Sequence, residues 1–372
     1  MKIGIDGRLL ERKMTGIGRY VLNLVRNIPA CDEKNEYFLF TYDGLEKDSF
    51  PGVTTVSTLG FSPRGVVQKL ISPFWMNLIL PIRLRRGKID VFFSPNHVLP
   101  FFRGAAKNVA VVLDLFNMVD KKFHSFLYRW YVGLTLPNSI KKSDAIITIS
   151  EASKRDIVKF FHVPEEKIAV VYLAAEEKFK PRNLSAEDKG RLMKKYDLPG
   201  KFILYVGVIE ERKNIAGILK IADLLIRKTD VPIILVGRIG YGGEKYVREM
   251  KSRENILYRG FVEDDDLPLL YNLSSAFLFP SFYEGFGIPP LEAMQSGVPV
   301  VASNTSSLPE VVGDGGIMLA PDDHAGFANA LEKIIGNDAF RSDLVRKGLA
   351  QAAKFSFKKA ACETVGVFNK MK

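Results

Sequence analysis

The 372-residue sequence contains few of the residues that mark disulfide-rich or metal-binding proteins. It has only two cysteines, Cys31 and Cys362, which lie far apart and form no CxxC motif, and its four histidines show no paired ligand spacing. This pattern excludes a disulfide scaffold and a zinc module. We therefore expect no disulfide and a reducing, cytoplasmic compartment.

The sequence also lacks a long hydrophobic segment. One of its two longest uncharged runs, 267–283, is interrupted by Pro268, Asn272 and Pro280, unlike a spanning helix of about 20 apolar residues. The first six residues, MKIGID, resemble a strand rather than a signal peptide. We expect no signal peptide and no membrane crossing.

Acidic residues are too few to balance the basic ones. The chain has 53 Lys and Arg against 42 Asp and Glu, for a net charge of +11. Residues 1–173 contain 25 basic and 16 acidic residues, and the remainder contains 28 and 26. The basic first half indicates either an anionic partner surface, such as lipid headgroups or nucleic acid, or an ordinary solvated face.

Short apolar runs alternate with helix-like stretches along the whole chain. This alternation predicts parallel sheets covered by helices on both faces. The predicted fold class is α/β, with two doubly wound Rossmann-like domains facing a central cleft. The predicted strands are 2–6, 37–42, 53–58, 90–94, 109–114, 145–150, 168–173, 202–208, 231–237, 256–261, 276–281, 298–303 and 316–320.

A polar segment without strand pattern separates the two series of strands. We predict a first domain over 1–173, a linker and entry helix over 174–200, and a second domain over 201–354. The last segment, 355–372, is a predicted helix that packs back on the first domain. Ligands of doubly wound sheets bind at the carboxyl ends of the strands.

The stretch YEGFGIPPLEAMQSGVPV presents two carboxylates around a strand-to-helix turn. Gly285 and Gly287 allow close approach of the backbone to a ligand, and the start of the next helix suits a phosphate. Glu292, predicted in the first helical turn, suits two vicinal hydroxyls such as those of a ribose. Glu284 is predicted to point into the cleft. The alternative is that both glutamates are solvated, with Glu292 complementing the helix dipole.

The stretch EGFGIPPLE resembles the signature of retaining glycosyltransferases of family four, the "group 1" enzymes with the GT-B fold. Further segments follow the order of that family and cover nearly the whole chain. The sequence is most similar to the branch that contains bacterial mannosyltransferases of surface polysaccharide assembly. The further matching segments are 5–24, 143–157, 203–215, 306–314 and 354–357.

The resemblance implies roles for individual side chains. Arg212 and Lys213 would neutralise the leaving diphosphate, which gains charge as the sugar–phosphate bond breaks. Glu284 would hold sugar hydroxyls near the reacting carbon, and Glu292 would bind the ribose. The resemblance implies no cofactor and no metal. The other implied donor-binding residues are Gly16, Gly18, Gly207, Phe261, Val262, Gly285, Phe286, Gly287 and Ile288.

One position departs from the family pattern. A His-Asp pair often follows the strand that corresponds to 109–114, and here the pair is Leu113-Asp114. Asp114 is kept as a fourth catalytic candidate beside Glu284, Arg212 and Lys213. His97 and His124 are candidates to replace the missing histidine, or are ordinary polar residues.

Two other motifs admit different functions. Asp264, Asp265 and Asp266 contain a D-x-D pattern typical of metal-dependent glycosyltransferases, although we interpret them as the N-cap and first turn of a helix. The "GIG" of residues 16–18 with Asp43 is similar to a dinucleotide-binding fingerprint, but the third glycine is replaced by valine.

Residues 66–88 combine large apolar side chains with a basic end. They either lie in a membrane interface or pack Phe74, Trp75, Leu78 and Ile79 into the first domain. Prolines 73 and 81 are expected to break any single long helix there.

The function predicted from the sequence is transfer of a sugar, mannose from GDP-mannose first, to a saccharide or lipid-linked saccharide acceptor with retention of configuration. The alternatives are a non-catalytic nucleotide-sugar-binding protein and an NAD-dependent oxidoreductase. The expected location is cytoplasmic, on the inner face of the membrane with peripheral contact to anionic lipid. No nucleic-acid partner is expected.

Overall fold

The computed structural model describes residues 1–11, 15–45, 50–102, 104–115 and 126–372, without the side chains of 69 and 126–131. The chain divides into two compact units. Unit 1 contains the described residues up to Leu173 together with Ser356–Lys372, and unit 2 contains Ala174–Phe355.

Unit 1 is built on a seven-stranded parallel sheet with the order β3-β2-β1-β4-β5-β6-β7. Its strands are β1 (Lys2–Asp6), β2 (Glu36–Thr41), β3 (Val53–Ser57), β4 (Val91–Ser94), β5 (Lys107–Val111), β6 (Ala145–Thr148) and β7 (Ile168–Val170). Its helices are α1 (Gly16–Asn27), α2 (Gly65–Phe74), α3 (Leu80–Arg86), α4 (Phe126–Lys142), α5 (Glu151–Phe161) and the C-terminal α14 (Phe357–Asn369).

Unit 2 is built on a six-stranded parallel sheet with the order β10-β9-β8-β11-β12-β13. Its strands are β8 (Ile203–Val206), β9 (Ile233–Val236), β10 (Ile256–Tyr258), β11 (Ala276–Phe279), β12 (Val300–Ser303) and β13 (Gly316–Leu319). Its helices are α6 (Ala186–Tyr196), α7 (Ile215–Leu225), α8 (Glu244–Met250), α9 (Leu267–Leu273), α10 (Ile288–Gln295), α11 (Leu308–Val312), α12 (His324–Gly336) and α13 (Asp338–Ala352).

The predicted α/β, doubly wound class is confirmed in both units. Every predicted strand is present, and six of the thirteen end two or more residues earlier than predicted. The pattern of apolar residues continues beyond the hydrogen-bonded strand because the first loop residues remain buried. In each unit the strand order reverses once, between β1 and β4 or between β8 and β11. Ligands of such sheets bind at this reversal.

Local sequence signals account for the helix boundaries. Ser150 rather than Ser153 caps α5, since its side chain accepts the amide of Ser153 at 3.1 Å. Gly297 follows the end of α10 with a φ of 74°, as expected for a glycine that stops a helix.

The first turn of α9 contains no acidic residue, so the interpretation of Asp264–Asp266 as first-turn acids is wrong. Asp266 is the N-cap residue, as interpreted, but its side chain makes no capping hydrogen bond. It accepts hydrogen bonds instead from Arg191 at 2.9 Å, Lys195 at 2.8 Å and Tyr196 at 2.8 Å. Burial raises the pKa of Asp266, and these donors outweigh burial and lower it to about 2. Asp266 therefore joins α6 to the start of α9.

Residues 65–86 form one uninterrupted helical run, so the expectation that the two prolines break it is wrong. A single turn with i→i+5 bonds, Trp75–Ile79, lies between α2 and α3. The wide turn accommodates the proline that follows it. Asn77 Nδ2 donates to the carbonyl of Pro73 at 2.8 Å. Trp75 is in the core as expected, whereas Phe74 and Leu78 are exposed and their predicted burial is wrong.

The expectation that the cysteines are unpaired is also wrong. Cys31 and Cys362 form a disulfide within unit 1, with their Cα atoms 5.1 Å apart. The pair forms because α14 packs on α1 and on the short helix Ile28–Ala30. The sequence could not show this, because 331 positions separate the two residues.

The disulfide gives a first testable prediction. Closing so long a loop restricts the unfolded chain, so the oxidised protein should resist chemical denaturation by about 2–5 kcal/mol more than the reduced protein. Urea titration with and without dithiothreitol measures the difference. Cys31→Ser is the control, and its free energy of unfolding should be the same with and without dithiothreitol. Equal stability of oxidised and reduced wild-type protein would contradict the pairing.

Candidate active site

The predicted site residues of unit 2 follow the two strands at the reversal of its sheet. Arg212 and Lys213 lie in a short 3-10 helix, Glu211–Lys213, after β8. Glu284 lies in the loop after β11. The amide of Phe282 donates to the carbonyl of Arg212 at 3.0 Å, which joins the two loops directly. The strand order therefore brings together residues that are 71 positions apart in sequence.

The side chains of the two loops form a buried ion cluster. Lys213 Nζ lies 2.6 Å from Glu284 Oε1 and 2.8 Å from Oε2. Arg212 Nη1 donates to Glu284 Oε2 at 3.2 Å and to the carbonyl of Tyr283 at 2.9 Å. On the other side, Arg212 Nη2 lies 2.9 Å from Glu210 Oε1. Two cations and two carboxylates thus lie together with no net charge.

Burial governs the protonation of this cluster. Lys213 and Glu284 are 8% and 7% exposed. Burial raises the pKa of Glu284, but the neighbouring Lys213 and Arg212 outweigh burial and hold it below its ordinary value of 4.5. Burial lowers the pKa of Lys213, although Glu284 opposes the shift. Each charge therefore depends on its partner, as expected for charges removed from water.

Glu292 occupies a different place from the one predicted. It is the fifth residue of α10, in the second turn rather than the first. The helix begins at Ile288, directly after Gly287, so Glu292 is one turn further along. Its Oε2 accepts the hydroxyl of Tyr271 at 3.0 Å, and the residue is 8% exposed. The alternative that both glutamates are solvated is therefore wrong.

Backbone conformation at the start of α10 requires glycine. Gly287 has a φ of 110°, and a Cβ there would lie 2.7 Å from Leu308 Cδ2. Ile288 follows, and two prolines occupy the next positions, where their missing amides leave fewer donors than an ordinary helix start. Any anion bound here would meet the amides before Pro289.

The glycines after β8 and β9 serve close packing. Gly237 has a φ of 142°, and a Cβ there would overlap the carbonyl oxygen of Gly207. Only glycine permits this close approach of the two loops. The ring of Phe261 is exposed, and the guanidinium carbon of Arg238 lies 5.3 Å from the centre of that ring. Val262 is buried.

Several residues that position the site were missed by the sequence interpretation. Ser306 Oγ accepts the amide of Glu284 at 2.8 Å, and Ser307 Oγ donates to the carbonyls of Glu284 and Phe286. Asn214, with a φ of 56°, caps α7 and donates to the carbonyl of Pro280 at 3.0 Å. The matching segment 306–314 pointed to this loop without showing that its serines hold Glu284.

The remaining candidates lie in unit 1. Gly16 and Gly18 belong to the first turn of α1, where the amide of Gly18 donates to Thr15 Oγ1 at 3.2 Å. Asp114 is half-buried in the loop after β5. Burial lowers the pKa of His97 to about 4, so its ring is neutral near pH 7. His124 lies outside the described residues.

Unit 1 also contains a cavity of about 130 Å³ at the reversal of its own sheet. Its walls come from the loops after β1 and β4 and from the helical run 65–86. The lining includes Arg8, Leu9, Asn77, Asn96, Val98 and Thr135. Arg8 is itself held by Asp6, at 2.7 Å between Nη2 and Oδ2. In the described part of the chain, no group of three or more His, Cys, Asp or Glu side chains is placed to hold a metal ion.

Comparison with known proteins assigns the family. The model of "Glycosyl transferases group 1" matches residues 188–351, and the model of "Glycosyltransferase Family 4" matches residues 14–176. O-antigen chain mannosyltransferase B of Escherichia coli is 33% identical over 99% of both chains. The chain is a group 1 glycosyltransferase. The resemblance predicted from the sequence is confirmed, and the oxidoreductase alternative is set aside.

Other relatives of this glycosyltransferase are more distant. O-antigen chain mannosyltransferase RfbU of Salmonella typhimurium is 27% identical over 70% of this chain and 69% of its own. Sucrose-phosphate synthase of Thermosynechococcus elongatus has a TM-score of 0.75 at 19% identity, covering 100% of this chain and 98% of its own. WaaG, a glycosyltransferase involved in lipopolysaccharide biosynthesis, has a TM-score of 0.69 at 14% identity, covering 99% of both. These structures share the GT-B fold, as predicted.

The ion cluster of this glycosyltransferase gives a second prediction. A lowered pKa means that Glu284 contributes stability above pH 4.5, and that this contribution is lost as pH falls through its folded value. Lys213→Gln removes the main opposition to burial, so the pKa of Glu284 should rise. The variant should lose about 3 kcal/mol of stability at pH 7 and less near pH 4, where Glu284 can protonate.

Urea denaturation at the two pH values measures this loss. Lys228→Gln is the matched control, because Lys228 and Glu332 form an exposed pair at 2.8 Å in the same unit. Its cost should stay below about 1 kcal/mol. If both variants lost the same small amount at pH 7, Glu284 would not depend on Lys213.

Proposed function

We propose that this enzyme transfers mannose from GDP-mannose to a saccharide or lipid-linked saccharide acceptor, with retention of anomeric configuration and without a metal ion. The observation that carries the proposal is the meeting of Arg212, Lys213 and Glu284 at the sheet reversal of unit 2, next to the start of α10. Mannose as the sugar is supported by the mannosyltransferases among its relatives.

The reaction requires positive charge next to the leaving diphosphate. As the bond between sugar and phosphate breaks, negative charge grows on the diphosphate that leaves. Arg212 and Lys213 would bind that diphosphate, with help from the amides of Gly287 and Ile288. The two cations are already held in position by Glu284, so little side-chain freedom remains to be lost when the donor binds.

Each carboxylate has a separate proposed task. Glu284 stays ionised because of its cationic neighbours, so it can accept hydrogen bonds from the sugar hydroxyls beside the reacting carbon. Glu292 accepts from Tyr271 through Oε2, and its carboxylate would accept from the two ribose hydroxyls. We keep Phe261 and Val262 as neighbours of the base, through the exposed ring and the backbone respectively.

Residues of unit 1 are proposed to bind the acceptor, to contact the donor phosphate and to take part in catalysis. The cavity at its sheet reversal combines apolar and polar lining residues, as small-molecule sites do. We assign the acceptor to it. Gly16 and Gly18 remain candidates for contact with the donor phosphate or the acceptor, and Asp114 remains a candidate for catalysis. The proposed location is cytoplasmic, with peripheral contact to an anionic membrane.

The donor assignment gives a third prediction. A thermal-shift panel of nucleotides and nucleotide sugars should show the largest stabilisation with GDP and GDP-mannose, about 2.7 kcal/mol at a hundredfold excess over Kd. Glu292→Ala should weaken GDP binding by about 10- to 100-fold through lost hydrogen bonds to a charged acceptor. Glu332→Ala, which changes a half-buried glutamate of unit 2, is the control. Stronger stabilisation by UDP-sugars would overturn GDP-mannose as the donor.

The catalytic assignment gives a fourth prediction. Lys213→Ala should lower kcat by about 10²–10³ with donor and a mannose-terminated oligosaccharide, at a temperature where circular dichroism shows a folded protein. Leu9→Trp should fill part of the unit 1 cavity, raising the acceptor KM while leaving GDP affinity unchanged. The anomeric coupling of the product, measured by NMR, tests retention. Wild-type turnover in Lys213→Ala would remove the site assignment.

A further inference from the structure

The helical run 65–86 presents an apolar stripe to solvent. Leu70 is 72% exposed, although leucine is among the side chains most often buried. The apolar residues of the stripe recur every four positions. In an ordinary helix of 3.6 residues per turn, residues with this spacing rotate progressively around the helix axis. The wide turn at Trp75–Ile79 reduces that rotation. We define the apolar stripe as Val66, Leu70, Phe74, Leu78 and Ile82, all exposed.

A neighbouring loop extends the same surface. The amide of Phe101 donates to Asn77 Oδ1 at 2.6 Å, so the loop that carries Phe101 and Phe102 is fixed beside the helical run. Phe102 is 75% exposed. A contiguous group of exposed apolar side chains such as this one marks an interaction surface rather than an ordinary solvated face.

The opposite side of the run is anchored in the core of unit 1. Trp75, Met76, Leu80 and Leu84 are buried there, and Trp75 Nε1 donates to Thr58 Oγ1 at 2.7 Å. By length and composition alone, Gly65–Arg86 is apolar enough to cross a membrane. To do so it would have to leave this core, whereas a position in the plane of an interface keeps every one of these contacts.

Charge around the stripe identifies its occupant. No Asp or Glu lies between Asp48 and Asp90. Exposed cations lie at both ends of the helical run. Asp90, the first acidic residue after the run, is already bonded, since its carboxylate accepts the amide of Lys2 at 2.8 Å. Long basic side chains can lay their stems on apolar surface and place their charges at the level of phosphate groups. The exposed cations are Arg64, Arg85, Arg86 and Lys88.

A second copy of the chain fits this surface poorly. Two identical stripes packed together would bring cations of one copy near cations of the other at each end, with no acidic residue in 49–89 to neutralise them. An anionic bilayer supplies both an apolar layer for the stripe and negative charge for its ends.

We propose that unit 1 docks on an anionic lipid bilayer, with the apolar stripe and Phe102 inserted at the interface and Arg64, Arg85, Arg86 and Lys88 against the lipid phosphates. This docking surface specifies the peripheral membrane contact proposed above and rests on that part of the proposed function, but it holds whatever sugar the enzyme transfers.

The test is sedimentation of the full chain with vesicles of phosphatidylcholine, with and without phosphatidylglycerol. Wild-type protein should bind the anionic vesicles, more weakly as salt increases. Leu70→Gln with Phe74→Gln should reduce the partition by about tenfold or more, since each buried CH₂ group contributes to insertion. Arg85→Gln with Arg86→Gln should reduce it by about 25-fold on anionic vesicles only.

Leu224→Gln with Ile226→Gln is the matched control, because it changes two exposed apolar residues of unit 2 and should leave binding unchanged. All altered side chains are exposed, and thermal unfolding verifies that each variant folds. Equal partition of wild-type protein to both kinds of vesicle would overturn the proposal, as would full binding by the Leu70 and Phe74 variant. A dimer in ultracentrifugation that the same variant dissociates would assign the stripe to a second copy instead.

Discussion

The carboxylate of Glu284 is the constraint on which the candidate site depends. It joins the loop after β8 to the loop after β11 through Lys213 and Arg212. Removing such charges from water costs several kcal/mol for each ion, and only good geometry and further hydrogen bonds compensate for this cost. Those bonds are present, since Ser306, Ser307 and the carbonyl of Tyr283 hold the same loop. The cluster therefore fixes the positions of two cations before any ligand arrives.

A neutral cluster of two cations and two carboxylates suits an enzyme that must release its product. If Arg212 and Lys213 bind a nucleoside diphosphate as proposed, they do so while still paired with Glu210 and Glu284, which offset part of their positive charge. The affinity for the diphosphate is then lower than that of two isolated cations. Such a site can stabilise the leaving group strongly only while its charge is developing, which is the condition for faster turnover rather than tighter binding.

The sequence predicted the sheets well because their strands are continuous apolar runs separated by helix-like segments, a pattern that few other folds produce. The resemblance, rather than periodicity, led to the prediction of Lys213 and Glu284 as site residues, and the structure pairs their side chains. The sequence could not show that Glu284 is buried, because the loop of Glu284 is held by Ser306 and Ser307, which lie more than twenty positions away. Neighbouring residues of the run 65–86 show the same limit: Trp75 is in the core and Phe74 is in solvent. Composition gives both the same hydrophobic character, and only their different directions around the helix axis separate them.

Helix α14 has a consequence for how the chain is made. It completes unit 1, packing on α1 and placing Phe368 against Phe93, yet all of unit 2 precedes it in the chain. Unit 2 is therefore synthesised between the sheet of unit 1 and this helix. Domains generally fold as they emerge from the ribosome, the N-terminal one first, but here the surface around Phe93 stays uncovered until α14 has been made. A truncation before Phe357 would leave unit 2 whole and unit 1 unfinished.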